Sequence, residues 1–377
     1  AAVHSEFICM ISLIGDEKMI RVLHIFHEMA NGGIEHFVMD YYRHIDRTRV
    51  QFDFLVSVEA EGYFDQEIRS MGGAIYHAYP LKKNPVRNYF DIARIVRENH
   101  YDIVHRHTGS AFGYFDLRAA RHGGAKHLIL HSHNNQAGNQ PLHVLSNVFL
   151  KIPCERLACS QEAGEWLFGA RQDFKIINNA IDCDKFQFEN ATRNRVRKEL
   201  QLEDKFVIGH VGRFEDQKNH FRMLKIFKAI LDKHPSSVLI LVGIGSLQKQ
   251  CIDLASNLDI GNHILFLGSR TDVPALMQAF DLFLLPSIYE GFPFVLVEAQ
   301  ASGLTSIAST NVPAECNVTG NVHFIDLERT DSEWAEYILK CRNSKRDRSK
   351  YAGVMKELDY DINQNARTLC AYYEALK

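Results

Sequence analysis

The sequence predicts an α/β protein of two doubly wound domains, each a parallel sheet covered by helices on both faces. Three observations predict it. Short β-rich runs alternate with longer helical stretches from Met19 onward, Gly-rich turns follow the strands, and the rhythm lapses near Asn178 and restarts at Phe206. The length of 377 residues suits two or three domains of about 150 residues each.

Each element follows from the local pattern. Ile20–Phe26 reads as a strand, Asn31-Gly32-Gly33 as a turn, and Ile34 to Ile45 as a helix. Gln51–Val58 is the next strand, and helical Tyr63–Met71 is stopped by Gly72-Gly73. Tyr89–Asn99 is a helix, while Ile103–His107 and Leu128–His133 are strands. In the second half Phe206–Val211, Val238–Val242, Ile264–Leu267, Leu282–Leu285 and Thr305–Ala308 are strands. Phe221–Lys233 places Phe221, Leu224, Phe227 and Leu231 on one helical face. Pro293–Ser302 opens on a proline and ends before Gly303, the usual punctuation of a helix. Asn178 to about Asp204 opens without an apolar period and reads as the linker. The predicted division is an extension at 1–18, a first domain at 19–183, a second at 184–360, and a terminal helix at 361–377 that crosses back onto the first domain.

Composition narrows the function. With 43 Lys and Arg against 46 Asp and Glu, the formal charge is -3, so no global positive field attracts nucleic acid. Hydrophobic residues at 46% and charged ones at 24% exclude a disordered or fibrous chain. The eight cysteines include no CxxC pair, which favours reduced thiols over a disulfide framework or zinc ribbon. The apolar run Phe7 to Ile14 is too short to span a bilayer, and no Lys or Arg precedes it.

Ligands of doubly wound sheets bind outside the carboxyl ends of the strands, which places the expected site in a cleft where two such sheets face. Two segments there carry chemistry. Glu290-Gly291-Phe292-Pro293 follows the apolar strand Leu282–Leu285 and opens a helix. Gly291 permits close backbone approach, Pro293 starts the helix, and its free N–H groups favour an anion. Glu298, a little over a turn inside, suits sugar hydroxyls, because a carboxylate accepts two O–H donors at once. Gly212 to Asn219 follows the strand Phe206–Val211, and its Arg213 and Lys218 form a candidate diphosphate clamp beside a helix N-terminus.

Other candidates are weaker. His105, His107, His131 and His133 end two predicted strands; His133 is the first choice for a cleft-facing catalytic group and His131 the second, since 131 and 133 share a face. A metal bound by paired H-x-H lacks an acid or cysteine to complete it. Gly32 and Gly33 bring backbone close to a donor phosphate or acceptor, or simply make a tight turn. Gly243-Ile244-Gly245 is a turn able to touch the nucleotide base, and Ser309, Thr310, Asn311 and Glu315 could add donor contacts. Asp182-Cys183-Asp184 and Asp359-Tyr360-Asp361 have the look of a metal-binding D-x-D but read as solvated loop acids. Lys82–Arg97, with interleaved Tyr89, Phe90, Ile92 and Ile95, either meets an anionic membrane surface or is the charged outer face of a packed helix.

The segment EGFPFVLVEAQASG, the Arg213/Lys218 pair, the Gly32-Gly33 turn, the inner-strand histidine and Asn179-Ala180-Ile181-Asp182 together resemble the GT-B nucleotide-sugar glycosyltransferases of family 4. The likeness runs from Met19 to Lys377; where the family usually has Asn-Gly, this chain has Asn179-Ala180. The resemblance implies retaining transfer from a nucleotide-diphosphate sugar, UDP-linked, with no metal and no cofactor. It implies that Arg213 and Lys218 hold the diphosphate and Glu298 the ribose, with Glu290 and a histidine beside the transferred sugar. Gly291, Phe292 and Pro293 would form the backbone pocket. The implied acceptor is a glycan or lipid-linked sugar in exopolysaccharide or cell-surface assembly, and the implied location is the cytoplasm, with peripheral contact at the inner membrane face. A sugar-nucleotide epimerase on the same fold and a non-catalytic nucleotide-sugar binding subunit are the alternatives. A nicotinamide oxidoreductase would need a complete G-x-G-x-x-G after the first strand, where this chain has only two glycines.

Overall fold

A computed structural model describes residues 19–30, 32–134, 139–342 and 347–377. The proposed extension 1–18, and Asn31 of the first turn, lie outside the described residues. The chain divides into two compact units, one of residues up to Ile177 together with Asn363–Lys377, the other of Asn178–Ile362.

The first unit alternates strand and helix throughout: β1 (Ile20–Ile25), α1 (Gly33–His44), β2 (Val50–Val56), α2 (Asp65–Ser70), β3 (Ile75–His77), α3 (Pro85–Glu98), β4 (Ile103–Thr108), α4 (Gly113–Gly123), β5 (His127–Ser132), α5 (Gln140–Phe149), β6 (Glu155–Ala158), α6 (Gln161–Phe168) and β7 (Lys175–Ile176). All strands pair in parallel in the order β3-β2-β1-β4-β5-β6-β7. The central strands β1, β2, β4 and β5 are largely buried on both faces, which is why they read as apolar runs rather than alternating ones. One face carries Leu23, Ile25, Val104, Leu128 and Leu130 against Ile92, Val96, Tyr114 and Leu117 of α3 and α4. Asn84 caps α3 by accepting from Arg87 N, with Pro85 in the first turn.

The second unit comprises α7 (Asn190–Glu199), β8 (Phe206–Val211), α8 (His220–Lys233), β9 (Ser237–Val242), α9 (Gln248–Asn257), β10 (Ile264–Gly268), α10 (Val273–Ala279), β11 (Leu282–Leu285), α11 (Phe294–Ala301), β12 (Thr305–Ser309), β13 (Val322–Ile325), α12 (Asp331–Cys341) and α13 (Tyr351–Glu357). Its parallel order is β10-β9-β8-β11-β12-β13. The strand order reverses where β8 meets β11, so the loops after these two strands, distant in sequence, emerge side by side. A core of Ile208, Leu224, Phe227, Ile230, Leu239, Leu241, Leu284 and Trp334 fixes that sheet.

α14 (Ile362–Ala375) returns to the first unit, where Arg49 pairs with Glu374 at 2.6 Å and Tyr373 is fully buried. The stretch expected to be a linker is largely structured. Asn179 Nδ2 donates to Phe292 O at 2.8 Å, and Ile181 bridges Asp361, so Asn178–Asp184 packs within the second unit. The units therefore divide at Ile177 and Ile362 rather than at 183 and 360. α7 escapes a periodicity reading because cations, more than an apolar stripe, hold it. Arg193 donates to the carbonyls of Gln278, Ala279 and Phe280 at 3.0, 3.2 and 2.9 Å, and Arg197 reaches Asp281 at 3.1 Å.

Candidate functional site

The two motif-bearing loops meet at the strand-order reversal of the second unit. After β8, a single 3-10 turn over Asp216–Lys218 leads into α8. Lys218 Nζ lies 2.5 Å from Glu290 Oε1, with the side chains only 16% and 5% exposed. Ser287 Oγ donates to the same carboxylate oxygen at 2.7 Å, and Gln217 Nε2 donates to Glu290 Oε2 at 3.2 Å. The β11 loop is itself braced. Ile288 N donates to Gln217 O at 2.8 Å, Asn219 Nδ2 to Pro286 O at 3.1 Å, and Ser309 Oγ to Ser287 O at 2.5 Å. Asn311 Nδ2 donates to Ile288 O at 2.7 Å. Ser309 and Asn311, expected as donor contacts, thus hold the loop that presents Glu290.

Arg213 is exposed on the same turn, and Glu298 is half-buried in the second turn of α11. α11 begins at Phe294 with Pro293 as its cap, which makes no side-chain capping hydrogen bond. Its first N–H groups and dipole would favour an anion, with no acceptor on the cap side chain to compete. Phe292 is buried and stacks on Tyr360 with ring centroids 6.1 Å apart. Gly243 has φ 138°, and a Cβ there would lie 2.1 Å from Gly212 O. Its role is thus to let the β9 loop pass against the loop carrying Arg213, where Phe214 N donates to Ile244 O at 3.0 Å.

Sequence reasoning did not single out His210 and His220, buried beneath this turn. His220 stacks on Phe214 with centroids 4.1 Å apart, and neither of its ring nitrogens has a hydrogen-bond partner. Burial lowers its pKa to about 4, so it is neutral near pH 7. His210, a lone histidine in the otherwise apolar strand β8, carries no motif by which to find it.

In the first unit five histidines form one buried layer on the face opposite α3 and α4. His24 of β1, His105 and His107 of β4, and His131 and His133 at the end of β5 are each at most 7% exposed. His24 Nδ1 lies 2.9 Å from His107 Nε2, and His107 Nδ1 lies 2.9 Å from His133 Nε2. A second chain joins His131 Nδ1 to His105 Nε2 at 3.1 Å and His105 Nδ1 to Tyr373 Oη at 2.7 Å. Burial lowers the pKa of His24 and His133 to about 3, and holds the other three well below the ordinary value. All five are neutral imidazoles, each with one N–H and one lone pair.

The proton order follows from the buried end. His24 Nε2 has no partner, and a stranded lone pair there is less costly than a stranded N–H. His24 therefore donates from Nδ1 to His107, and His107 donates from Nδ1 to His133 Nε2. That assignment leaves His133 its Nδ1–H as a donor. Single nitrogens of His24, His105 and His107, and of His107, His131 and His133, lie within 4.8 Å of one another. Bonds of 2.0–2.1 Å to zinc would separate tetrahedral ligands by roughly 3.3 Å, so an ion there would have to replace the hydrogen bonds just described.

Gly32 and Gly33 cap and open α1. A Cβ at Gly32 would lie 2.4 Å from Glu35 Oε2, so a carboxylate already stands beside that helix start. The D-x-D segments lie side by side, with Asp184 paired to Lys356 at 2.7 Å and Asp182 to Lys185 at 3.1 Å. The described cysteines form no disulfide.

Two family models match the chain: Glycosyltransferase Family 4 over residues 31–185, and Glycosyl transferases group 1 over residues 192–354. EpsF of Bacillus subtilis, which carries the name glycosyltransferase, is 33% identical over 370 residues, covering 94% of this chain and 96% of its own. The chain belongs to the family 4 glycosyltransferases. Within that family, the Escherichia coli UDP-Gal:alpha-D-GlcNAc-diphosphoundecaprenol alpha-1,3-galactosyltransferase is 27% identical over 251 residues, 63% of each chain. Anabaena Alr3699/HepE, solved in complex with UDP, superposes with a TM-score of 0.77 at 20% identity, over 95% of this chain and 100% of that one. The fold is accordingly GT-B, two Rossmann-like parallel-sheet domains.

Proposed function

We propose that this glycosyltransferase moves a hexose from a UDP-sugar to a glycan or lipid-linked acceptor in polysaccharide or cell-surface biosynthesis, with retention and without a metal ion. The observation that carries the reading is the Lys218–Glu290 pair at the β8/β11 reversal, with Arg213 on the same turn. Breaking the glycosidic C–O bond leaves charge on the departing diphosphate oxygen. Lys218, Arg213 and the first N–H groups of α11 stabilise that charge more in the transition state than in the ground state. Such fixed cations replace the divalent ion that would otherwise do so.

In this reading Glu298 accepts the ribose hydroxyls, and Gly291, Phe292 and Pro293 present backbone to sugar and phosphate. Glu290 turns its second oxygen to the transferred sugar while Ser287 and Gln217 hold the carboxylate in place. His133 donates from Nδ1 to a sugar oxygen, and His131 lines the same strand end. The UDP donor is supported by UDP in the HepE structure and by the donor in the E. coli relative's name, and that name also supports a lipid-diphosphate acceptor.

The test is a transfer assay with UDP-sugars and a lipid-diphosphate acceptor, run in excess EDTA. Undiminished turnover and a product whose anomeric configuration by NMR matches the donor are expected. Loss of activity in EDTA with rescue by magnesium or manganese would remove the two cations from the role given to them.

A further inference from the structure

The five histidines of the first unit form two hydrogen-bonded rows that lie stacked on one another. In one row His24 donates to His107 and His107 to His133. The other runs from Tyr373 of the terminal helix α14 through His105 to His131. His105 stacks on His107 and His131 on His133, with centroids 4.2 Å apart in each pair. Both rows cross from β4 to β5 and end there, at His131 and His133.

Tyr373 is fully buried, and burial raises its phenol well above the ordinary value, so it remains an O–H. Among the described residues its hydrogen-bond partner is His105 Nδ1, at 2.7 Å. This row has two possible proton orders. If Tyr373 donates to His105 Nδ1, His105 donates from Nε2 to His131 Nδ1, and the Nε2–H of His131 is the one group left over. In the reverse order His131 and His105 each donate from Nδ1, which strands both the Tyr373 O–H and the lone pair on His131 Nε2. That nitrogen is buried without a partner. The first order therefore leaves one polar group unpaired and the second leaves two, and each unpaired group is costly in a buried layer. The phenol decides the direction.

We infer that Tyr373 is a positioning residue for sugar transfer: its O–H fixes the proton order of His105 and His131, so that both rows direct their N–H ends to the end of β5, where His133 meets the transferred sugar. Aligned dipoles place partial positive charge at their common end, as an α-helix does at its N-terminus, and polarise the last donor. His133 Nδ1–H is thereby a stronger donor to a sugar oxygen, arranged before the substrate arrives. Parallel dipoles side by side repel, so the order depends on the phenol. With Phe at 373, either order leaves one N–H and one lone pair unpaired, and pairing no longer favours the direction toward β5. The inference rests on His133 standing beside the transferred sugar, as proposed for this site.

Ring-nitrogen NMR of the full chain with isotope-labelled histidine, near neutral pH and without substrate, reads which nitrogen of each ring is protonated. His131, assigned by the loss of its signals in His131→Gln, is expected to carry its proton on Nε2 in the wild type and to gain Nδ1–H population in Tyr373→Phe. The new phenylalanine ring keeps the place against Phe52 and His24. Tyr372→Phe removes the neighbouring hydroxyl, which donates to Glu155 on the surface, and is expected to leave both spectrum and turnover unchanged. In the transfer assay Tyr373→Phe is expected to lower kcat by about 3–10-fold with donor KM within about twofold, whereas His133→Gln removes transfer. A wild-type His131 protonated on Nδ1 overturns the inference. So does a spectrum that Tyr373→Phe leaves alone, or an unchanged kcat once the proton has moved. Full turnover in His133→Gln would defeat the placing of that residue at the sugar, and the part of Tyr373 in transfer with it, while the spectra decide the proton order separately.

Discussion

Lys218 and Glu290, 72 residues apart, form a nearly buried ion pair 2.5 Å long. The cation assigned to the leaving diphosphate is thus held in advance by the carboxylate assigned to the sugar. Pairing aims the ammonium and compensates its charge in a site where an isolated charge would be costly. Lys218→Ala is expected to lower transfer by at least about 100-fold and, by stranding Glu290, to cost about 2–4 kcal/mol in urea unfolding. The double variant Lys218→Met, Glu290→Gln separates the two roles, because it removes both charges. It should recover most of the stability and none of the activity. Recovery of turnover along with stability would make the pair a structural device only.

Glu298 offers a second separation. A carboxylate accepts from both ribose hydroxyls, whereas an amide offers one acceptor and sets N–H against the other. Glu298→Gln is expected to weaken UDP binding by about 10–100-fold in calorimetry, with a larger rise in donor KM than fall in kcat. The side chain is half-buried on α11, so unfolding should move little. Unaltered UDP affinity would place the ribose elsewhere.

The backbone beneath the clamp makes its own demand. Gly243 sits at φ 138° with Gly212 O where a Cβ would point. Gly243→Ala is expected to cost about 2–4 kcal/mol and to displace the Arg213 turn. UDP affinity should fall along with stability, and a variant equally stable to the wild type in urea would show that the two loops can part freely.

Much of the local structure around the candidate second-unit site was legible because its residues sit in strand–turn–helix units where glycine, proline and charge have local meanings. Glu290, Gly291 and Pro293 announce a helix start, and Arg213 with Lys218 follow a strand that reads clearly as apolar. Non-local pairing was not legible: nothing in the spacing of residues 218 and 290 states that they touch, since that depends on β8 lying beside β11. The histidines illustrate the same boundary. The H-x-H pattern puts His105 with His107, and His131 with His133, on one face, but His24 joins them only through the parallel register of β1 on β4. α7 was missed for another reason, because Arg193 and Arg197 anchor it through carbonyls that have no sequence signature.

The histidine layer makes the first unit acid-sensitive. Folded His24 and His133 take up a proton only near pH 3, whereas in the unfolded chain each does so near the ordinary value of about 6.5. The unfolded state therefore binds more protons below that value. The stability contributed by keeping these rings neutral is fully present above about pH 6.5 and is lost as pH falls toward 3. Each such ring contributes a slope of up to about 1.4 kcal/mol per pH unit, so His24 and His133 alone predict a loss of roughly 2–3 kcal/mol between pH 6 and pH 5. Urea unfolding at pH 7, 6 and 5, followed by a probe in the first unit, measures it. His24→Phe fills the same aromatic niche between Phe52 and Phe54 without a titrating nitrogen and is expected to flatten the slope by about one proton. A wild-type unit equally stable at pH 5 and pH 7 would mean that these rings are not buried as neutral imidazoles.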